Sequence, residues 1–293
     1  MAVRMMRARS IFLFVCVLMA AACLHAQSTF DGTNKWAWSA NSGWLNCKAD
    51  VTNGISISEF VCSGYVWSAS TGWMNWGNGR PTNGIRYTNI SSNDFGVNHD
   101  GKGNLRGSAW CASVGWISFE DTGAPRLNLA TGILDGFAWG GSLGWISFTN
   151  LQAFAENDKL FSGPDTDSDA IPDAWEKEKT GSTTNLSAAH DKDGDGVSDY
   201  DEYVAGTNPT NANSYLKIVS LISTNGTNAA ITWASESTRV YNLKQNEYLT
   251  NDDGWVDADP NLLSPQTNGS TTTYVLSSSS VTQLFIRVKA VLP

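Results

Sequence analysis

Four segments of the first half of the chain align without a gap: AWSANSGWLNC (37–47), VWSASTGWMNW (66–76), AWCASVGWISF (109–119) and AWGGSLGWISF (138–148). Their first tryptophans are Trp38, Trp67, Trp110 and Trp139, so the steps are 29, 43 and 29 residues. Self-similarity at such a period marks supersecondary units that cannot bury a hydrophobic face alone and must pack on one another. The 13 Trp and 27 Gly, with charged residues at only 16%, exclude a helical bundle and favour strands with frequent turns.

The last unit shows what one repeat folds into. Residues 126–129 read as a strand, 130–132 as a turn, 133–139 as a second strand, 140–144 as another turn and 145–148 as a third strand. Leu134, Gly136 and Ala138 share one face, and Asp135, Phe137 and Trp139 the other. The glycine before each second tryptophan (Gly43, Gly72, Gly115, Gly144) suits a positive φ where a hairpin turns. Each unit is therefore expected to be a three-stranded meander. Recurrence of the rings at one structural position favours a core role, each burying about 150–250 Å². The alternative is that the rings are exposed and form a carbohydrate-binding platform. The longer connection between Trp67 and Trp110, with Pro81 and Asn83-Gly84, is the one specialised loop of this half.

Residues 1–10 carry Arg4, Arg7 and Arg9, an apolar run of 12 follows, and Ala26 stands at a small-residue cut. This is the pattern of a secretory signal peptide cleaved after Ala26, with lipoprotein processing at Cys23 as the alternative. The run is too short to span a bilayer, and no later segment could cross one. Loss of the leader takes the net charge from −9 to −12, which excludes attraction to nucleic acid or anionic membrane by charge. An exported chain meets conditions in which disulfides persist. Cys47 and Cys62 both fall at packing positions of the repeat and are expected to form a bridge, leaving Cys111 as a buried thiol. Three unbridged apolar fillers remain the other reading.

The clearest chemistry lies in the middle. Residues 165–202 hold 12 of the 28 acids with three lysines. DKDGDGVSDYDE (191–202) places Asp191, Asp193 and Asp195 at positions 1, 3 and 5 of a calcium loop, Gly196 at 6, Asp199 at 9 and Glu202 at 12. Carboxylates at alternating positions converge as the loop curls, Val197 offers its carbonyl, and Glu202 closes the shell. DTDSDAIPDAWE (165–176) keeps Asp165, Asp167, Asp169, Asp173 and Glu176, with Ile171 in the place of Val197. It has Ala170 where glycine is expected, so this site is expected to be strained and weaker. Hard oxygen donors in this number suit Ca²⁺.

Both loops have an Asp at position 9, followed by short helices that end at Gly181 and at Gly206-Thr207-Asn208-Pro209. This frame resembles the bacterial thrombospondin type 3 repeat over about 164–211. The resemblance implies calcium as structural cement in a stiff spacer. Dockerins also pair two such loops but carry longer helices with an apolar docking face.

After Asn213 charge falls and short alternating runs return between polar turns, as in a small antiparallel sandwich. The frame ITWAS, RVYNLKQNEYL and QLFIRVKAV resembles the β-domain that often follows such calcium repeats, and implies no catalysis. His99 and His190 lie in no catalytic motif. The expected protein is mainly β: a leader (1–26), a Trp-repeat domain (27–155), a paired calcium-loop spacer with small helices (156–213) and a C-terminal β-sandwich (214–293). It is expected to be a non-enzymatic, secreted or surface-attached structural or adhesion protein. Ca²⁺ would hold its two β-domains apart, and the partner would be an extracellular glycan or surface protein.

Overall fold

The computed structural model describes residues 27–150, 153–224, 228–247, 254–266, 270–277 and 284–293. The expected leader, with Cys23 and Ala26, lies outside the described residues. The first half contains β1 (Phe30–Ser39), β2 (Gly43–Asn46), β3 (Ser56–Ile57), β4 (Cys62–Ser68), β5 (Gly72–Asn78), β6 (Val97–His99) and β7 (Leu105–Cys111). It continues with β8 (Gly115–Phe119), β9 (Arg126–Leu127), β10 (Leu134–Asp135), β11 (Phe137–Gly140), β12 (Gly144–Ser147) and β13 (Ala155–Asn157).

Each Trp-Gly-Trp segment is one hairpin: β1–β2, β4–β5, β7–β8 and β11–β12. The hairpins pair side by side, and β12 pairs with β1 through Trp38 opposite Ser147. The sheet therefore closes into an eight-stranded barrel. Carrying a residue of β2 across the successive pairings and back to β2 displaces it by eight positions. Eight strands with that stagger leave a bore that side chains can fill. Ala37, Leu45, Val66, Met74, Ala109, Ile117, Ala138 and Ile146 fill it, all 4% exposed or less. Below them Trp76 meets Phe119 and Phe148 edge-on and the two phenylalanines lie tilted to each other, with centroids 4.8 to 5.9 Å apart.

Closure settles which face is inside, and it is not the face of the repeated tryptophans. Trp38 stands opposite Trp44, Trp67 opposite Trp73, Trp110 opposite Trp116 and Trp139 opposite Trp145. All eight are 38–47% exposed on the outer wall. The expectation that these rings form the core is corrected. The physical reason is the bore: alternating small and medium residues fit it, and eight indoles would not. Ring centroids 4.7 to 4.9 Å apart in three of the pairs make them cross-strand clamps on their own hairpins.

Gly43, Gly72, Gly115 and Gly144 all lie at positive φ, between +69° and +84°, just after the turn. The third strand of each expected meander is shorter and more variable. β3 extends the second hairpin and β6 the third. In the fourth unit β10 pairs with β9, and Gly136 interrupts the chain before β11; a Cβ there would sit 2.3 Å from the Ala124 carbonyl oxygen.

Beyond the barrel lie α1 (Asp173–Thr180) and α2 (Asp199–Ala205), then β14 (Ile218–Thr224), β15 (Asn228–Ala234), β16 (Val240–Asn246), β17 (Val256–Asp257), β18 (Thr271–Ser277) and β19 (Phe285–Val291). Two three-stranded antiparallel sheets, β14-β15-β18 and β17-β16-β19, enclose Ile231, Trp233, Tyr241, Leu243, Leu276 and Ala290.

The acidic segment does not hold the two lobes apart, which corrects the spacer expectation. Ile171, Trp175, Leu186 and Tyr203 form a core with Phe60, a barrel-lobe residue. Arg86 bonds Glu178 of α1 at 2.9 Å and lies 4.8 Å over the Phe60 ring. Arg239 of the sandwich, fully buried, donates to the carbonyls of Tyr203 and Val204 at the end of α2. It also pairs with Glu59 of the barrel lobe at 2.7 Å. All these contacts fall at the end of the barrel opposite the four hairpin turns.

Cys47, Cys62 and Cys111 are buried free thiols, so the expected Cys47–Cys62 bridge is corrected. The register explains it. Asn46 lies opposite Trp67, which puts Cys47 level with Val66. Cys62 is then four residues further along β4, roughly 13 Å of extended chain, whereas bridged Cα atoms lie within about 7 Å. Burial pushes the Cys47 thiol up to about 12 and the Cys62 thiol higher still. We expect iodoacetamide to label none of the three in the native protein and all three in denaturant without reductant. Peptide mass spectrometry checks this, and two unlabelled cysteines in denaturant would restore the bridge.

Candidate metal centre

Each acidic loop is organised by its first aspartate. Asp191 Oδ1 accepts hydrogen bonds from the amides of Gly194 and Asp195, and Oδ2 from Gly196, at 2.7 to 3.2 Å. The same three bonds recur 26 residues earlier, from Ser168, Asp169 and Ala170 to Asp165, at 2.8 to 3.3 Å. Asp195 accepts from the Val197 amide and Asp169 from that of Ile171, both at 2.8 Å. The two loops therefore share one backbone path.

They differ in how comfortably they take it. The path needs positive φ at the fourth and sixth positions. The second loop supplies Gly194 and Gly196, at φ +80° and +94°. The first forces Ser168 to +63° and Ala170 to +74°. The strain expected at Ala170 is present, shared with Ser168, and the bend keeps its shape.

The path brings one carboxylate oxygen each from Asp165, Asp167 and Asp169 within 4.8 Å of one another, and likewise from Asp191, Asp193 and Asp195. Several of the oxygens are buried without a hydrogen-bond partner: Asp169 Oδ2 and Glu176 Oε2 in the first loop, Asp193 Oδ2, Asp195 Oδ2 and Glu202 Oε2 in the second. Leaving such groups unmet costs on the order of 1–3 kcal/mol each, more when charged. Burial pushes the Glu176 carboxyl up to about 7, and the charges of Asp167 and Asp169 add to the rise. Glu202 is pushed up to about 7 by burial, with Asp193 and Asp195 adding. A divalent cation among these oxygens reverses that cost, so the donor set fits a hard cation.

Both glutamates are fully buried and tied by their second oxygen. Glu176 Oε1 accepts from the Leu186 amide at 3.1 Å, and Glu202 Oε1 from the Thr207 hydroxyl at 3.1 Å. Ile171 carries the seventh position of its loop and is wholly buried in the core shared with Phe60, whereas Val197 is half-exposed.

The aspartates at position 9 are engaged elsewhere. Asp173 accepts from the Thr166 amide and hydroxyl at 2.8 and 2.7 Å. Asp199, fully buried, accepts from the amides of Lys192 and Ser187 and contacts His190 Nδ1 at 3.1 Å. These two carboxylates clasp the loop ends to their helices. The acids that converge are Asp165, Asp167 and Asp169 in one loop and Asp191, Asp193 and Asp195 in the other, with Glu176 and Glu202 each offering a buried oxygen without a hydrogen-bond partner. His190 braces Asp199, and His99 is a core residue whose ring meets the Ser58 carbonyl and the Gly103 amide. Sequence reasoning missed Thr207 and Leu186, which orient the two glutamates. Thr207 lies in the recognised GTNP turn, but nothing in the pattern sets Leu186 apart.

Residues 191–212 match the bacterial TSP3 repeat. The match covers the second loop, α2 and the turn after it, and supports calcium binding in a structural role. The first loop lies outside the matched span and is tied to it by the shared hydrogen-bond frame. No curated protein and no solved structure matches the chain. No helix among the described residues is long and apolar enough to cross a membrane.

Replacing Ala170 by glycine should relieve the first loop by about 1 kcal/mol, roughly fivefold in cation affinity. Calorimetric titration with Ca²⁺ checks this: the weaker of two binding steps should tighten and the stronger stay put.

Proposed function

We infer that the protein is a calcium-stabilised structural component of the cell exterior, without catalytic activity, in which two Ca²⁺ ions set a wedge that fastens a β-barrel to a β-sandwich. The observation that carries this reading is the set of five buried carboxylate oxygens without partners, in loops packed against the barrel lobe. Glu202, which would ligate the ion, sits in α2, and the carbonyls of the next two residues, Tyr203 and Val204, hold Arg239. Cation binding and lobe docking would thus be joined within a single turn of α2. Export is supported by the basic leader and its apolar run, and an adhesive role by the wide outer wall of the barrel. The scarcity of histidine and the engagement of the acids in the loops support the absence of catalysis.

Glu202→Gln keeps the bond with Thr207 and removes the charge that closes the second cage. We expect calorimetry to lose one Ca²⁺ step and limited proteolysis to cut between 206 and 214 at calcium levels that protect the unmodified protein. Unchanged calcium protection in the variant would sink the reading. Arg239→Met removes one partner of a buried pair and should weaken docking by about 3 kcal/mol. Small-angle scattering should then record a larger radius of gyration, with both lobes still folded by circular dichroism.

A further inference from the structure

The outer wall of the barrel has a property that neither calcium nor hairpin stability explains. The four hairpin segments 36–46, 65–76, 107–119 and 136–148 contain none of the chain's 47 charged residues. They carry instead the four exposed tryptophan pairs, repeated around the barrel in one register. The first tryptophan of each pair faces a neutral polar residue of the preceding hairpin: Trp67 faces Asn46, Trp110 Asn75, Trp139 Ser118 and Trp38 Ser147.

A third ring completes each cluster. Trp36 lies 6.4 Å from Trp44, Tyr65 6.3 Å from Trp73 and Phe137 6.1 Å from Trp145. The third hairpin has Ser108 at this place, opposite Ser118. There the ring comes from the long insertion: Phe95 reaches Trp116 at 5.1 Å. A missing aromatic restored from a different segment points to selection for the cluster itself, since hairpin clamping needs only the pair.

We propose that this belt binds a neutral polysaccharide, each aromatic cluster stacking on the C–H face of a sugar ring while the adjacent Asn or Ser side chain meets a hydroxyl. Rings beside a few neutral hydrogen-bonding groups are the chemistry of such a site. Four equivalent clusters fit a ligand that itself repeats, because linked weak contacts multiply. Charge selects the class of polymer. A net charge of −9 repels a polyanion, and the four hairpin segments hold no carboxylate for a polycation, Glu120 reaching Ser118 from just outside them.

A membrane fits less well. The tips beyond the rings are Asn41, Ser42, Ser70, Thr71 and Ser113, and no Lys or Arg stands at them to meet lipid headgroups; Lys35 and Arg106 lie toward the other ends of their strands. The rings also point outward around the wall, so no single plane touches all four pairs. The calcium wedge and the sandwich dock at the opposite barrel end and leave the belt open, as the even exposure of the eight indoles records.

The test is native electrophoresis of the whole protein, with Ca²⁺, through gels cast with a soluble β-glucan, a galactomannan, a neutral xylan or a polyuronate. Flotation with phosphatidylcholine vesicles runs beside it. We expect retardation by at least one neutral polymer and none by the polyuronate, with quenching or a blue shift of tryptophan emission. Trp116→Ala with Trp145→Ala should reduce retardation at least fivefold while the Ca²⁺ titration is unchanged, which separates this site from the calcium reading. Should that variant unfold, Phe95→Ala leaves every tryptophan pair in place and should still reduce retardation at least twofold. The proposal is overturned if no neutral polymer retards the protein, if the folded variants are retarded as strongly as the unmodified chain, or if only vesicles bind.

Discussion

Arg239 carries a full charge with none of its surface in water, and the arrangement of the three parts of the molecule depends on how that charge is met. A carboxylate from the barrel lobe and backbone carbonyls from the last turn of α2 surround it. Neither set alone would offset the removal of a guanidinium from solvent. The carbonyls at a helix end carry partial negative charge, and that of Tyr203 has besides only the Gly206 amide, so the cation and the helix terminus support each other. Remove the helix and Arg239 loses two of its four acceptors. Helix α2 in turn is too short to be stable by itself. Its other end is the acidic loop.

The lobes therefore meet through a segment whose own folding is penalised by its charge. Oxygens from three aspartates converge within a few ångströms in each loop, and the closing glutamates are sealed from water. A bound cation would reverse the sign of these interactions. The acidic loops are exposed on one side, while Ile171, Trp175, Leu186 and Tyr203 are buried on the other. This two-sidedness lets a charge-rich segment share a core with the barrel lobe.

How much of this was legible in the sequence follows from what each pattern encodes. The calcium loops were readable because cation ligation demands particular side chains at fixed offsets, and loop geometry is local. Period-two alternation correctly separated Ala138 from Trp139. It could not say which face was inside, because that depends on closure between β1 and β12, more than a hundred residues apart. Tryptophan's usual preference for burial then pointed the wrong way. The Cys47–Cys62 pairing failed for a related reason: both residues face packing surfaces, but register along the strands separates them. Arg239 with Glu59 is a contact across 180 residues, and no local signal announces it. The position-9 aspartates sit where the motif places them, yet their oxygens also meet neighbouring amides, the Thr166 hydroxyl and the His190 ring, which a motif does not display.

Closure of the barrel also fixes how this architecture can change. An open solenoid lengthens by duplicating a unit, because each copy touches only its neighbours. Here a fifth hairpin would bring the strands to ten, widen the bore and pull Trp76, Phe119 and Phe148 out of mutual contact. Loss of one hairpin would leave six strands and no room for the same side chains. The copy number is locked by geometry, so variation is channelled into the connections at the docking end, where the long loop between β5 and β7 already shows it.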